Sequence, residues 1–339
     1  MSKKQKFAWA HSHTQRSKAE GYALSIPRVV CLGGGNAMPK AILTGLKNYP
    51  VKLSTICAML DSGGSAGRLR RDYNIISPGD IRRAFIALAN TSPAIENLFN
   101  YRFQTGELKG HNFANLFITA LELTTNDYGK TFQELNRILN IPHQVLPATL
   151  DNSNLYAILE NGKILSGETN IDIPKHNGNF KIKKVFLKPR ARAYPQAITA
   201  IKKADLIVIG PGDLYSSIAQ ILLTENIPEA IKKSKAKKVY ICNLMTKYGE
   251  TNSFTVSDFT KEIEKYLTGK VDYVIFNNFI PSKQIIKKYK KRHPELLDLV
   301  EINKNLPGEK FIGKNLLQKD SIEHDPQKLA KIIMKLCRR

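Results

Sequence analysis

The chain has 339 residues, with 52 Lys and Arg against 29 Asp and Glu, a net charge of +23 and 42% hydrophobic residues. That is enough apolar chain for one large or two smaller α/β domains, and no run reaches the about eighteen consecutive apolar residues of a membrane helix. The positive charge does not mark a specific nucleic-acid binder: lysines are scattered over helix surfaces at 232–238, 283–293 and the C-terminus, aromatic residues are not interleaved with them, and no nucleic-acid motif occurs.

Residues 1–25 are polar and basic, with a lone Trp9 and a His11/His13 pair that lacks further ligands nearby. They carry no apolar core or small-residue cleavage site of a secretory signal, so the reading is a disordered tail on a cytoplasmic protein. Four widely spaced cysteines (Cys31, Cys57, Cys242, Cys337), three of them in apolar runs, fit free thiols in a reducing compartment. Residues 26–339 read as a single domain. Arg28–Leu32 is a short apolar run between turn signals, expected to be a central parallel strand, and Pro39 opens the helix that follows. Leu53–Leu60 is the second strand, and Asp80 to Asn90 a helix. Further helices are expected at 93–102, 112–124 and 130–139. Period-two alternation around Asn161-Gly162 marks a hairpin within a β-rich insert at 144–188. Strands at 206–209, 239–245 and 271–278 alternate with helices, which predicts a three-layer α/β/α, doubly wound, mostly parallel Rossmann-like sheet.

Three strand-to-helix turns can carry chemistry. Gly33-Gly34-Gly35-Asn36 stands where a helix N-terminus holds phosphate, although Met38 breaks the GxGxxG pattern and no GK[ST] follows. Asp61 opens a second loop, Ser62-Gly63-Gly64-Ser65, with Arg68 beside it; the aspartate either accepts ribose hydroxyls, holds a metal or caps the loop. Asp80 is either a helix N-cap or a site residue, and Arg83 either reaches the crevice or is solvated. His111 and Asn115 begin another helix, as ligand contacts or caps. The third turn is Gly210-Pro211-Gly212, followed by Asp213 and Tyr215, and Asn243 ends a later strand. Phosphate is expected between the first two loops. No Ser-His-Asp order, HExxH or kinase signature is present, so no catalytic residue is assigned.

Taken together, GGGNA, DSGGSAGRLR at 61–70, PGDIRR at 78–83, GHNFAN at 110–115, VLPAT at 145–149, GPGDLYSS at 210–217 and CNLMT..GET from Cys242 resemble the CofD/YvcK family over roughly residues 28–330. The branch most similar is that of the gluconeogenesis factors. The resemblance implies a UDP-sugar ligand such as UDP-N-acetylglucosamine, regulation that links central carbon flux to cell-wall precursors and cell shape, a homodimer, and no cofactor. In the alternative, the similar 2-phospho-L-lactate transferases move a phospholactyl group from a nucleoside-diphosphate donor to a deazaflavin precursor with a divalent metal. By the same resemblance Arg68 or Arg83 would neutralise the diphosphate, and Tyr215 or Tyr289 would stack on the base or sugar. The chain departs from the family pattern at Asn36, Ala37, Ser62, Arg83, Asp213 and Phe259, and at Glu323, where an arginine is expected.

Overall fold

The structure, a computed structural model, describes residues 26–337. The expected tail, Trp9 and the His11/His13 pair lie outside the described residues. The chain begins with β1 (Arg28–Gly33), whose residues are buried after Arg28, and turns into α1 (37–46), which is π-helical over Pro39–Leu43. β2 (Lys52–Cys57) follows, then α2 (Gly64–Tyr73), α3 (Pro78–Leu88), α4 (Pro93–Asn100), α5 (Phe113–Thr125) and α6 (Tyr128–Ile138). Proline opens α3 and α4 at a first-turn position where its missing N–H costs nothing. β3 (Gln144–Pro147) pairs with β2 in the main sheet.

β4 (Asn154–Leu159), β5 (Ile164–Ser166) and β6 (Ile182–Lys188) make a separate antiparallel sheet, with the expected hairpin turning at Gly162, φ +83°. The β-rich insert therefore starts at Asn154 and not at 144, because residues 144–147 are taken by the main sheet. The short helix α7 (Glu168–Asp172) lies between β5 and β6. Then come α8 (Pro195–Lys203), β7 (Leu206–Ile209), α9 (214–222), α10 (Ile227–Lys233) and β8 (Lys237–Ile241). β9 (Met245–Lys247), α11 (Val256–Leu267), β10 (Tyr273–Asn277), α12 (Lys283–Arg292), β11 (Leu296–Leu299), β12 (Phe311–Lys314) and α13 (Pro326–Cys337) complete the chain.

The seven main strands run in the order β12-β10-β8-β7-β1-β2-β3, every neighbouring pair parallel. Alternate side chains of each strand enter different helix layers. Val30, Leu32, Ile207 and Ile209 pack on one side, together with the β4–β6 insert, and Val29, Cys31, Leu206 and Val208 on the other. Cys31, Cys57 and Cys242 are buried and free, as read from the sequence. The expected last strand at 271–278 is not the edge: β12 pairs outside it. Phe311, Ile312 and Gly313 are too few and too polar in their surroundings to announce a strand.

No helix among the described residues is long and apolar enough to cross a membrane. The strand order reverses between β1 and β7. Connections leave these two neighbours in opposite directions, so a crevice opens beyond their carboxyl ends.

Candidate functional site: a cleft at the sheet's switch point

The first and third glycine turns meet at this crevice. β1 runs into Gly34-Gly35, and Gly35 takes φ +63°, a conformation glycine adopts without strain. Its N–H donates 3.0 Å to Asp80 Oδ1. A Cβ on Gly34 would overlap the other oxygen of the same carboxylate. Asp80 is thus the brace of the first loop and not an N-cap: α3 is preceded by Ser77, which makes no capping bond either. Burial pushes the Asp80 carboxyl up to about 6, against the pull of Arg83, which forms a short ion pair with it. Across the crevice, Asn243 Nδ2 donates 2.9 Å to the carbonyl of Gly212.

These turns open into a cleft of about 740 Å³, closed on its far side by Tyr289 and His293 of α12 and by the stretch carrying Gln318, Glu323 and His324. The Tyr289 and His293 rings pack at 4.6 Å between centroids. Two polar atoms of the lining are enclosed and have no partner among the described residues, Asn243 Oδ1 and His324 Nε2. Burial drives His324 down to about 4, so its imidazole is neutral at physiological pH, while a bond to the Cys242 backbone fixes the ring. A buried polar atom without a partner is costly in a finished interior and is usual where a ligand supplies the partner.

One wall is ionic. Lys247 contacts Asp172, Glu250 at 3.2 Å and Asp213 at 3.4 Å. Burial alone would lower the Lys247 ammonium, but Glu250, Asp213 and Asp172 outweigh it and raise it. Burial pushes the Glu250 carboxyl up to about 7. Ligand oxygens of the three carboxylates lie within 4.8 Å of one another, the spacing of a cation seat, and the ammonium of Lys247 is the cation they hold. Glu250 also accepts from the Tyr215 N–H at 3.1 Å and from Ser216 Oγ at 3.2 Å.

Of the residues singled out in the sequence, Gly34, Gly35, Asn36, Ala37, Pro211, Gly212, Asp213, Asn243, Tyr289 and Glu323 line the cleft. Gly33 and Gly210 sit behind it, at strand ends. The second loop does not line it, because β1, β2 and β3 follow one another in a single direction and nothing diverges between β1 and β2. Asp61 accepts the Gly63 N–H at 2.8 Å, Ser62 Oγ lies 3.0 Å from Thr169 Oγ1, and Thr169 of α7 packs over Gly63. Ser65 Oγ is tied to His111 Nδ1, the Asn112 N–H and Asn115 Nδ2, each at 3.2 Å. Arg68 donates to the Lys109 carbonyl and Arg83 to Asp80, so neither faces the cleft. The Tyr215 ring is 1% exposed and packs edge-on against Tyr266; burial removes it as a stacking platform. Sequence reading missed Lys247, Glu250, Asp172 and His324. A Lys-x-x-Glu spacing within the MTKYGET segment was the available signal for the first pair.

Comparison with known proteins gives a consistent result. The family model described as 2-phospho-L-lactate transferase CofD matches residues 29–317. The "Gluconeogenesis factor" of Bacillus subtilis is 37% identical over 315 residues, covering 91% of this chain and 98% of its own. That of Halalkalibacterium halodurans is 38% identical over 311 residues, covering 90% and 95%. The crystal structure of protein BH3568 from Bacillus halodurans superposes with a TM-score of 0.84 at 35% identity, covering 91% of this chain and all of that one.

Proposed function

Since the chain belongs to the CofD family and is similar along nearly its whole length to gluconeogenesis factors, we propose that it binds a nucleotide sugar of the UDP-N-acetylglucosamine class in the switch-point cleft. In this reading it is a regulator that couples central carbon metabolism to cell-wall precursor supply and cell shape, and not an enzyme. The observation that carries the reading is the pair of enclosed, unpartnered atoms, Asn243 Oδ1 and His324 Nε2, in a cleft of about 740 Å³. That volume suits a nucleotide-sized ligand. The diphosphate fits at Gly34–Ala37, against the start of α1, where helix N–H groups and Lys40 favour an anion. Tyr289 offers a ring face to the base or sugar, and Asn243 Oδ1 and His324 Nε2 accept from hydroxyl or uracil N–H groups.

Binding is expected to need no divalent metal, since the cation among Asp172, Asp213 and Glu250 is the protein's own lysine. The test is calorimetric titration of the full chain with UDP-N-acetylglucosamine, with and without Mg²⁺, repeated on His324→Ala. Micromolar binding in both buffers that is lost in the variant supports the regulator. No binding in either buffer overturns it. Binding of guanosine diphosphate only with Mg²⁺ would favour a transferase of the phospholactyl type, the activity named by the family model.

A further inference from the structure

α3 carries two adjacent arginines in unlike settings. Arg83 is paired with Asp80. Arg82 is 8% exposed, has neither a hydrogen bond nor an ion pair among the described residues, and its Nε is enclosed without a partner there. Burial, followed by the fields of Arg83 and Arg102, lowers its pKa to about 10, with Asp80 and Asp61 opposing. It is therefore charged at neutral pH. A largely buried guanidinium whose nearest carboxylates make no hydrogen bond to it, and whose Nε is enclosed without a partner, is costly for a fold to hold.

The surroundings add cationic and polar groups. Arg102 bridges to Asn112 and donates 2.6 Å to the carbonyl of Gly110, and Arg68 approaches Gly110 from its other side. Burial and then the field of Arg68 lower His111, with Arg102 adding to them and Asp72 opposing. On the same pair of helices two more enclosed polar atoms lack partners among the described residues. Ser77 Oγ stands at the head of α3 and Asn115 Oδ1 on α5, which packs against α3. Of the nearby carboxylates, Asp80 is engaged by Arg83 and the Gly35 N–H, while Asp61 accepts the Gly63 N–H and keeps its charge. None of these residues lines the switch-point cleft.

We propose a second ligand site, separate from that cleft, in which Arg82, flanked by Arg83 and Arg102, receives a compact tetrahedral oxyanion: inorganic phosphate or the phosphate group of a small ester. The guanidinium supplies paired donors to adjacent oxygens, and the excess of cationic over free anionic groups suits a dianion better than a monocarboxylate.

The probe is inorganic phosphate, measured by equilibrium dialysis on the full chain at fixed ionic strength and with saturating UDP-N-acetylglucosamine present. One phosphate per chain is expected, weakened by about tenfold or more in Arg82→Met. In chloride buffer, Arg82→Met should melt no lower than the parent, because the substitution removes an unpaired charge. Should Arg82→Met not fold, Arg102→Ala, an exposed position, decides: weakened phosphate binding supports the site and unchanged binding refutes it. Absence of saturable binding, equal binding by Arg82→Met, or displacement of phosphate by the nucleotide sugar would each overturn the proposal. Competition by glycerol 3-phosphate would identify an ester as the source of the anion, and its failure free phosphate.

Discussion

Lys247 Nζ lies 3.2 Å from a carboxylate oxygen of Glu250, and both side chains are buried, the lysine 10% and the glutamate 1% exposed. The lysine ends β9 and the glutamate follows three residues later, so a single turn of chain supplies both charges, while Asp172 and Asp213 arrive from α7 and the third glycine turn. Lys247→Met leaves three carboxylates without their cation and is expected to cost about 3–5 kcal/mol. Burial already raises Glu250 to about 7 from 4.5, and losing the lysine raises it further. A carboxylate raised on folding contributes stability that is complete below its unfolded pKa and fades as pH rises through the folded value. The deficit of the variant should accordingly be larger at pH 8 than at pH 6 in paired urea melts; a deficit independent of pH would show that the cluster does not act through charge.

Gly34→Ala tests the brace between the first loop and α3. The new methyl displaces the Asp80 carboxylate from the Gly35 N–H. A charge-assisted hydrogen bond at a buried site is worth about 2 kcal/mol, and the cleft floor should lose its shape with it. Much of the destabilisation should disappear in an Asp80→Ala background, since the tightest clash is then gone and only the approach to Ala58 Cβ remains. Full additivity in that double-mutant cycle would locate the strain elsewhere.

Glu168 governs the alkaline side. Burial raises its carboxyl to about 8, and the fields of Asp61, Asp172 and Asp80 add to that, against a hydrogen bond from the Ser62 N–H. The sign is that of Glu250: the stability it brings is complete near pH 4 and is lost as pH rises through about 8. Glu168→Gln keeps an oxygen for Ser62 and cannot ionise. Its unfolding free energy should fall less steeply between pH 7 and pH 9 than that of the parent. Identical slopes would mean that Glu168 is not the group being titrated.

The sheet was legible in the sequence because central parallel strands are continuous apolar runs bounded by glycine. Leu206–Ile209 appears with its own boundaries, and β1 and β10 within a residue or two. The location of the cleft was not. Two glycine loops on consecutive strands suggested a shared crevice, but where the sheet reverses depends on where β7 inserts, a contact 177 residues from the β1 it joins, as in the Arg28–Asp205 ion pair. For the same reason Tyr215, next to a glycine turn, looked like a platform and is core, while His324, remote in sequence, is at the site. The two cationic roles were also hidden. The Lys-x-x-Glu spacing is the one local sign of Lys247, and nothing local distinguishes Arg82 from solvated neighbours; burial separates both.

Glu323 is the departure that bears most directly on the proposed ligand. It stands on the cleft rim beside Tyr289, whose hydroxyl is raised to about 12 by burial, with the fields of Glu323 and Glu295 adding to it. A carboxylate here repels a diphosphate, whereas the family resemblance implies an arginine. Glu323→Gln removes the repulsion and Glu323→Arg adds a bidentate donor, so affinity for UDP-N-acetylglucosamine should rise in that order, by about tenfold for the arginine. The gain should shrink at high salt, as an exposed charge effect does. Tyr289→Ala should act the other way. It lies on α12, none of whose residues is fully buried, and packs against His293 and the small Met245, Leu317 and Ile322 cluster. Its loss is expected to weaken binding by about tenfold while the melting temperature moves little. If all three variants bind as the parent does, the ligand does not reach α12, and the far wall of the cleft is not part of the site.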